Sequence, residues 1–288
     1  MNAFENYHPI VILTFFVAII GTSMFFIHPV FLGITIFMAI CLNLVLRREQ
    51  FLKDWKLYIP LFFLTSIINP LISHNGEHVL VRVYGKAITL EAIYYGMAIA
   101  VMLIAVMLWF SCYNEVMTSD KFLAVFGKLV PTFALTVIIT LRLVPRFQQQ
   151  LQKIAVAQKA IGLDYTTGSL RYRLLCIVRM LSILMTWALE NAVETADMMN
   201  ARGYGLPGKS TFSNYSFRKR DGLFLFHFSI LFLINLMGFI RGTAQFSFYP
   251  TLSTLTFNGQ EITSVVSFFL LCSLPIVVEL RERMKWRY

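Results

Sequence analysis

The sequence has few charged residues. Only 14% of its 288 residues are Asp, Glu, Lys or Arg, whereas 57% are hydrophobic, and the mean hydropathy is +0.67. Soluble domains carry about a quarter charged residues and less than half apolar ones. A soluble protein of this length has nowhere to bury so much apolar surface, so the composition argues against a soluble enzyme. It predicts several membrane-spanning helices, each of which needs about 20 apolar residues.

Cysteine is scarce, and its spacing shows no pairs. The four cysteines stand at positions 41, 112, 176 and 272, each in or beside an apolar run. This distribution is typical of small buried side chains rather than of a disulfide framework or a structural metal site. The cysteines therefore give no indication of a redox compartment.

Basic residues are absent from the first 46 positions and concentrated elsewhere. Apolar runs predict six spans, over residues 10–27, 30–46, 57–73, 92–112, 223–240 and 262–280. If the N-terminus lies inside the cell, the inner segments hold 22 of the 25 Lys and Arg residues. The outer segments keep only Arg82, Lys86 and Arg241. This asymmetry follows the positive-inside rule, so it predicts a multi-pass plasma-membrane protein with cytoplasmic termini. It also accounts for the net charge of +10 without nucleic-acid binding.

The predicted fold is an all-α polytopic membrane protein of about six transmembrane helices with a cytoplasmic region of long amphipathic helices. It divides into N-terminal spans (1–112), a middle region (113–222), and C-terminal spans with a basic tail (223–288). The middle region has 14 basic residues threaded through its apolar pieces. One piece, 130–141, is too short to span, and another, 174–189, is ambiguous by length. Charge placement favours a cytoplasmic position for both.

Two stretches of the middle region resemble each other. Pro145 predicts the first turn of an amphipathic helix that ends at Ala160-Ile161-Gly162. A second helix, over about 174–201, ends at Ala201-Arg202-Gly203. Glycine is the usual residue just past a helix C-terminus, and a cation there complements the helix dipole. Alternatively, the small Ala201 lets the helix end enter a groove on a partner, where Arg202 makes bidentate contacts to oxygen atoms. The residues alone leave both interpretations open.

The second of these helix ends, in its setting, resembles a known motif. The stretch from Asp197 to Gly205 resembles the second Ala-Arg-Gly motif of the transmembrane T component of energy-coupling factor (ECF) transporters. The stretch from Arg142 to Phe147, leading into Ala160-Ile161-Gly162, resembles the first. Shorter matches with the same family are His28-Pro29, Asn69-Pro70-Leu71 and Arg218-Lys219-Arg220-Asp221. The resemblance therefore extends over most of the chain.

The resemblance implies a scaffold subunit of an ABC importer for a vitamin or a metal ion. Two cytoplasmic ATP-binding cassette ATPases would dock on the two motifs, and a membrane S component would bind the substrate and reorient when the ATPases close. This chain would carry no catalytic residue, metal or cofactor. The implied docking residues are Ala160, Ile161, Gly162, Ala201, Arg202 and Gly203, with Lys159 and Asp197 in support. Ile161 departs from the family, which often has Arg there, so we expect contact by shape or with help from Lys159.

Other functions receive less support from the sequence. A stand-alone channel or secondary transporter would need ionisable residues along a midplane path, and few are present. Residues 203–210 fit the Walker A pattern, but that motif requires a preceding strand, and here a predicted helix precedes it. His74-x-x-Glu77-His78 fits an inverted zinc-protease pattern, but Asn75-Gly76 indicates a turn where that mechanism needs a helix. Neither pattern predicts an enzyme.

Overall fold

The computed structural model describes residues 4–72, 76–83, 86–207, 215–242, 246–249, 253 and 259–285. In these ranges the chain is helical apart from one β-hairpin and the connecting loops, which confirms the all-α prediction. A short 3-10 helix, Phe4–Asn6, precedes the other elements. These are α1 Pro9–Phe25, α2 Pro29–Ile72, β1 Val79–Val83, β2 Lys86–Thr89, α3 Leu90–Val116, α4 Ser119–Leu129, α5 Pro131–Ala160, α6 Leu170–Ala201, α7 Lys219–Ile240 and α8 Gly259–Lys285.

Five helices are long and apolar enough to cross a membrane, namely α2, α3, α6, α7 and α8. Helix α1 is equally apolar in character but has 17 residues. The protein is therefore a multi-pass membrane protein. Helix α6 meets the same criteria of length and composition, although charge placement predicts that it does not cross.

The second and third predicted spans lie in one 44-residue helix, α2, with a break at Arg47. The segment 47–56, which the sequence predicts as a polar inner segment between these spans, contains no Gly or Pro and stays helical on both sides of the break. Arg47 alone leaves helical geometry, with φ −147° and ψ 50°. Its guanidinium donates to the Ser111 backbone oxygen at 3.2 Å and to the Asp54 carboxylate at 3.2 Å. The Ser111 bond holds the break against α3, and the Asp54 bond joins the two sides of the break within α2.

The chain forms two compact units, residues 1–122 with 215–288, and residues 123–214. The core of the first unit is rich in aromatic side chains. Phe15 and Phe16 are fully buried and meet Trp109 edge-on, with ring centroids 6.3 and 6.2 Å apart. Phe4 joins the same cluster from the N-terminal segment, at 5.7 Å from Phe15. Edge-to-face aromatic packing therefore ties α1 and α3 to residues far away in the sequence.

The second unit contains a pair of helices, α5 and α6, that run antiparallel. Phe147 and Trp187 pack edge-on across them with ring centroids 5.8 Å apart. Helix α5 begins at Pro131, not at Pro145 as predicted, and Pro145 lies inside it. An interior proline costs one backbone hydrogen bond, but it need not end a helix that is long on both sides. The more favourable first-turn position is taken by Pro131.

Candidate functional site

Helix α5 ends in a complete Schellman motif. The N–H of Gly162 donates to the Lys159 carbonyl at 3.1 Å, and the N–H of Leu163 donates to the Gln158 carbonyl at 2.9 Å. Gly162 has φ +82°, in the left-handed region that favours glycine. The Ala160-Ile161-Gly162 sequence is thus the end of the helix, with Ile161 as its last, half-helical residue.

Helix α6 ends in the same way. The N–H of Gly203 donates to the Asn200 carbonyl at 2.9 Å, and the N–H of Tyr204 donates to the Met199 carbonyl at 3.0 Å. Gly203 has φ +81°, within one degree of Gly162. The duplication seen in the sequence is therefore a duplication of backbone structure, and each glycine is required by the motif that closes its helix.

Five of the six residues predicted for docking are exposed at these two ends, and the sixth, Gly203, is half-buried. The Ile161 side chain is 68% exposed, and Arg202 occupies the equivalent position on α6, also exposed. In the part of the chain that the structure describes, Arg202 forms no ion pair with a carboxylate. Ala160, Ala201 and Asp197 are exposed beside them. The two interpretations of these motifs are therefore compatible. Each glycine ends its helix, and the side chain before it is exposed to a partner.

Lys159 takes part in the turn that follows α5. Its Nζ lies 3.2 Å from the Asp164 carboxylate. The same carboxylate accepts hydrogen bonds from the Thr166 N–H at 2.9 Å and from the Thr166 hydroxyl at 2.7 Å. The two Thr166 bonds, and to a lesser degree Lys159, hold the pKa of Asp164 below its ordinary value. A direct contact of Lys159 with a partner stays a prediction.

Two side chains of α6 fasten the end of α5, and neither bond was predicted from the sequence. The Tyr172 hydroxyl donates to the Gly162 carbonyl at 3.0 Å, and Arg173 Nε donates to the Tyr165 carbonyl at 2.9 Å. The hydroxyl of Ser169, the N-cap of α6, accepts from the Tyr172 N–H at 3.4 Å. A Ser after Gly168 is a recognisable helix-start signal, but its consequence for Gly162 depends on the fold.

The two helix ends are far apart. The end at Gly162 is bonded to Tyr172 near the start of α6, and the end at Gly203 closes the same helix. Thirty residues separate Tyr172 from Arg202, and a helix rises about 1.5 Å per residue, so about 45 Å of continuous helix lies between them. A partner that grips one end therefore lies at the opposite end of α6 from a partner that grips the other.

The two enzyme-like patterns do not form enzyme-like structures in the described residues. Gly203 to Leu206 form the turn after a helix, not the loop after a strand, while Gly208, Lys209 and Ser210 lie outside the described residues. His74 and Asn75 also lie outside them. His78 pairs through Nδ1 with the buried Glu91 at 2.7 Å. Among the residues that the structure describes, no three His, Cys, Asp or Glu side chains converge on a metal position.

Comparison with known proteins identifies several relatives that share one description. No protein-family profile matches the chain. The energy-coupling factor transporter transmembrane protein EcfT of Staphylococcus aureus is 28% identical over 68% of this chain and 78% of its own. The EcfT proteins of Bacillus subtilis and Exiguobacterium sibiricum are 34% and 36% identical, over 39% and 38% of this chain. The chain spans only 42% and 43% of the length of these two relatives. These similarities confirm the resemblance that the two helix-end motifs predict.

Proposed function

We propose that this relative of the energy-coupling factor transmembrane proteins is the membrane scaffold, or T component, of an ECF-type ABC importer. In this role the chain does not bind ATP. Two cytoplasmic ATPase subunits dock on its two helix ends, and a separate membrane S component binds the vitamin or metal ion. Closure of the ATPases moves the helix ends, and the movement reorients the S component.

The observation that carries the proposal is the repetition of one exposed helix end at two distant points. Ala160-Ile161-Gly162 and Ala201-Arg202-Gly203 have the same pair of backbone hydrogen bonds and the same glycine φ. The two ends stand about 45 Å apart along α6. A single groove receives one helix end, so two such ends favour two partner subunits. The small alanine before each exposed residue leaves room for a close approach.

The helix pair is suited to transmit movement between these ends. Tyr172 and Arg173 fasten the end of α5 to the start of α6. Phe147 and Trp187 pack between the helices farther along. A displacement applied at Arg202 therefore acts on a hydrogen-bonded helix rather than on a loop. This is the mechanical requirement for a subunit that passes a conformational change from an ATPase to a membrane partner.

The apolar half of α6 has the surface expected of a helix that contacts lipid or a partner subunit. Large side chains that soluble proteins bury are exposed there, among them Leu174, Leu175, Met185 and Leu189. We propose that they lie against the membrane or the S component. The proposal requires α6 to stay on one side of the membrane, because a crossing would place its two ends in different compartments. The basic residues of the middle region support the cytoplasmic side.

Purification from native membranes tests the proposal. The unsubstituted chain should co-purify with ATPase subunits, and Arg202→Glu should reduce their yield about tenfold or more, since it inverts the charge at the docking contact. Lys153→Glu is the matched control, because it makes the same charge change at an exposed position on α5, outside both motifs. Arg202→Lys should fall between the two, since it keeps the charge and loses the bidentate geometry. Absence of any ATPase subunit from the unsubstituted complex would refute the proposal.

A further inference from the structure

We infer that the two helix ends are received by grooves of different chemistry: an apolar pocket for Ile161 and a carboxylate-lined groove for Arg202. The inference rests on the proposed function and adds the nature of each partner surface. Its first premise is that the two helix ends have the same backbone structure. Because the two Schellman motifs have the same hydrogen bonds and nearly the same glycine φ, the two ends differ in their side chains, and the exposed side chain before the glycine is Ile161 in one and Arg202 in the other.

The end of α5 exposes an aliphatic side chain, that of Ile161. Ile161 is 68% exposed, so a partner that covers it gains the burial of a large apolar side chain. The cation nearest to it in the sequence, Lys159, is already paired with Asp164 at 3.2 Å. An acidic groove would thus find no free charge at this neighbouring position, and its carboxylates would lose water without compensation. An apolar pocket avoids this desolvation.

The second end presents a cation. Arg202 is exposed and has no carboxylate partner within the described residues. A guanidinium that enters a groove must replace its water with oxygen acceptors, and carboxylates match its planar donors best. An apolar pocket would strand this charge. Two copies of one ATPase would offer the same groove to both ends, so the inference requires two non-identical ATPase chains.

Site-specific cross-linking measures each end separately. Ala157 and Met198 are exposed and stand five residues before Gly162 and Gly203, so they form a matched pair. A photoreactive benzoylphenylalanine at either position, in the full complex in native membranes, reports the ATPase docked nearby. Between about 0.1 M and about 1 M salt the Debye length falls from about 10 Å to about 3 Å. The ATPase yield at Met198 should fall about fivefold, and the yield at Ala157 should stay constant or rise.

Substitutions that exchange the side chains at positions 161 and 202 supply the second readout. Ile161→Arg should lower the yield at Ala157 about tenfold and leave Met198 unchanged, whereas Ile161→Leu should leave both unchanged. Arg202→Ile should lower only the yield at Met198. The unaffected end verifies that each variant is folded and assembled. Equal salt responses at the two positions, full yield with Ile161→Arg, or capture of the same ATPase chain at both would overturn the inference. Failure to capture any ATPase at either position would instead count against the proposed function.

Discussion

The Lys121 ammonium group lies 3.4 Å from the Glu5 carboxylate. It also donates to the backbone carbonyls of Glu5 and Val116, each at 2.9 Å. The Lys121 side chain is only 8% exposed, so its charge is buried with three oxygen partners. Lys121 stands where the chain leaves the first compact unit, and these bonds fasten that exit to the N-terminal segment.

The return of the chain to this unit is fastened to the same segment. The buried Asp221 carboxylate accepts from the His8 N–H at 3.3 Å and from the Arg218 N–H at 2.8 Å. The Arg220 guanidinium lies over the Tyr7 ring, 5.1 Å from its centroid, and also donates to the Asn6 carbonyl. Both crossing points of the chain thus share residues 5–8 as an anchor.

Replacing Lys121 tests this anchor. Lys121→Met keeps the length of the side chain but leaves two buried carbonyls and the Glu5 carboxylate without their cation. Lost buried hydrogen bonds cost about 1–3 kcal/mol, so the thermal unfolding midpoint in detergent should fall measurably. Lys153→Met, at an exposed position without an ion pair in the described residues, should leave the midpoint unchanged. Equal midpoints for the two variants would contradict the buried role of Lys121.

Substitution of Gly162 isolates the backbone requirement of the first helix end. A Cβ at Gly162 would meet no atom within 4 Å, so Gly162→Ala introduces only the cost of φ +82°. That cost is about 1–2 kcal/mol for a residue with a side chain. In this variant the backbone N–H groups of residues 162 and 163 should exchange with solvent about tenfold faster than in the unsubstituted protein. Gly162→Asn is the matched control, since asparagine tolerates this conformation, and it should exchange at an intermediate rate. Unchanged exchange in the alanine variant would argue against a Schellman end.

Tyr172 provides a test of how the first end is fastened. Tyr172→Phe removes only the hydroxyl that donates to the Gly162 carbonyl. The bond is exposed to solvent, so we expect local loosening of this helix end rather than unfolding. Hydrogen exchange should rise over residues 161–166 and stay constant around Arg202. A rise of equal size at both helix ends would show that the two ends are not separately fastened.

The turn after α5 should respond to pH through Asp164. Its pKa is held below the ordinary value by the Thr166 bonds, so the folded state binds its proton less readily than the unfolded state. The stabilisation is therefore present above the unfolded pKa of about 3.9 and is lost as pH falls through the lower folded value. Exchange of the Thr166 N–H, corrected for intrinsic rate, should become faster in that range. Asp164→Asn should give weaker protection with no such dependence, and a pH-dependent loss in that variant would point to another group.

The sequence was sufficient where one local property decides the structure. The apolar runs that predicted the spans at 92–112, 223–240 and 262–280 lie in α3, α7 and α8, because length and hydropathy are readable without the fold. Gly162 and Gly203 were likewise predicted as helix ends. Pro145 was placed wrongly because a proline suits a first turn and is also tolerated inside a long helix, and Pro131 was the better start.

Contacts between residues that are distant in the chain could not be predicted from the sequence. The hairpin β1–β2 lies in a stretch of mixed composition, and its pairing of Val79 with Thr89 was not predicted. The hydrogen bond from the Phe4 N–H to Glu279 joins positions 275 residues apart. No sequence pattern distinguishes Lys121 or Tyr172, and only the fold gives them partners. Exposure of Ile161 and Arg202 also follows from the structure, since either side chain is compatible with burial at a helix end.

The most direct test is the side of the membrane on which the two helix ends lie. Single cysteines at Ala157 and Met198, in a variant that lacks the four native cysteines, can be labelled with a membrane-impermeant maleimide in right-side-out and inverted vesicles. Docking of two cytoplasmic ATPases predicts that both positions are labelled in inverted vesicles and neither in right-side-out vesicles. Labelling of the two positions from opposite sides would make α6 a membrane span and would contradict the proposed docking at both ends.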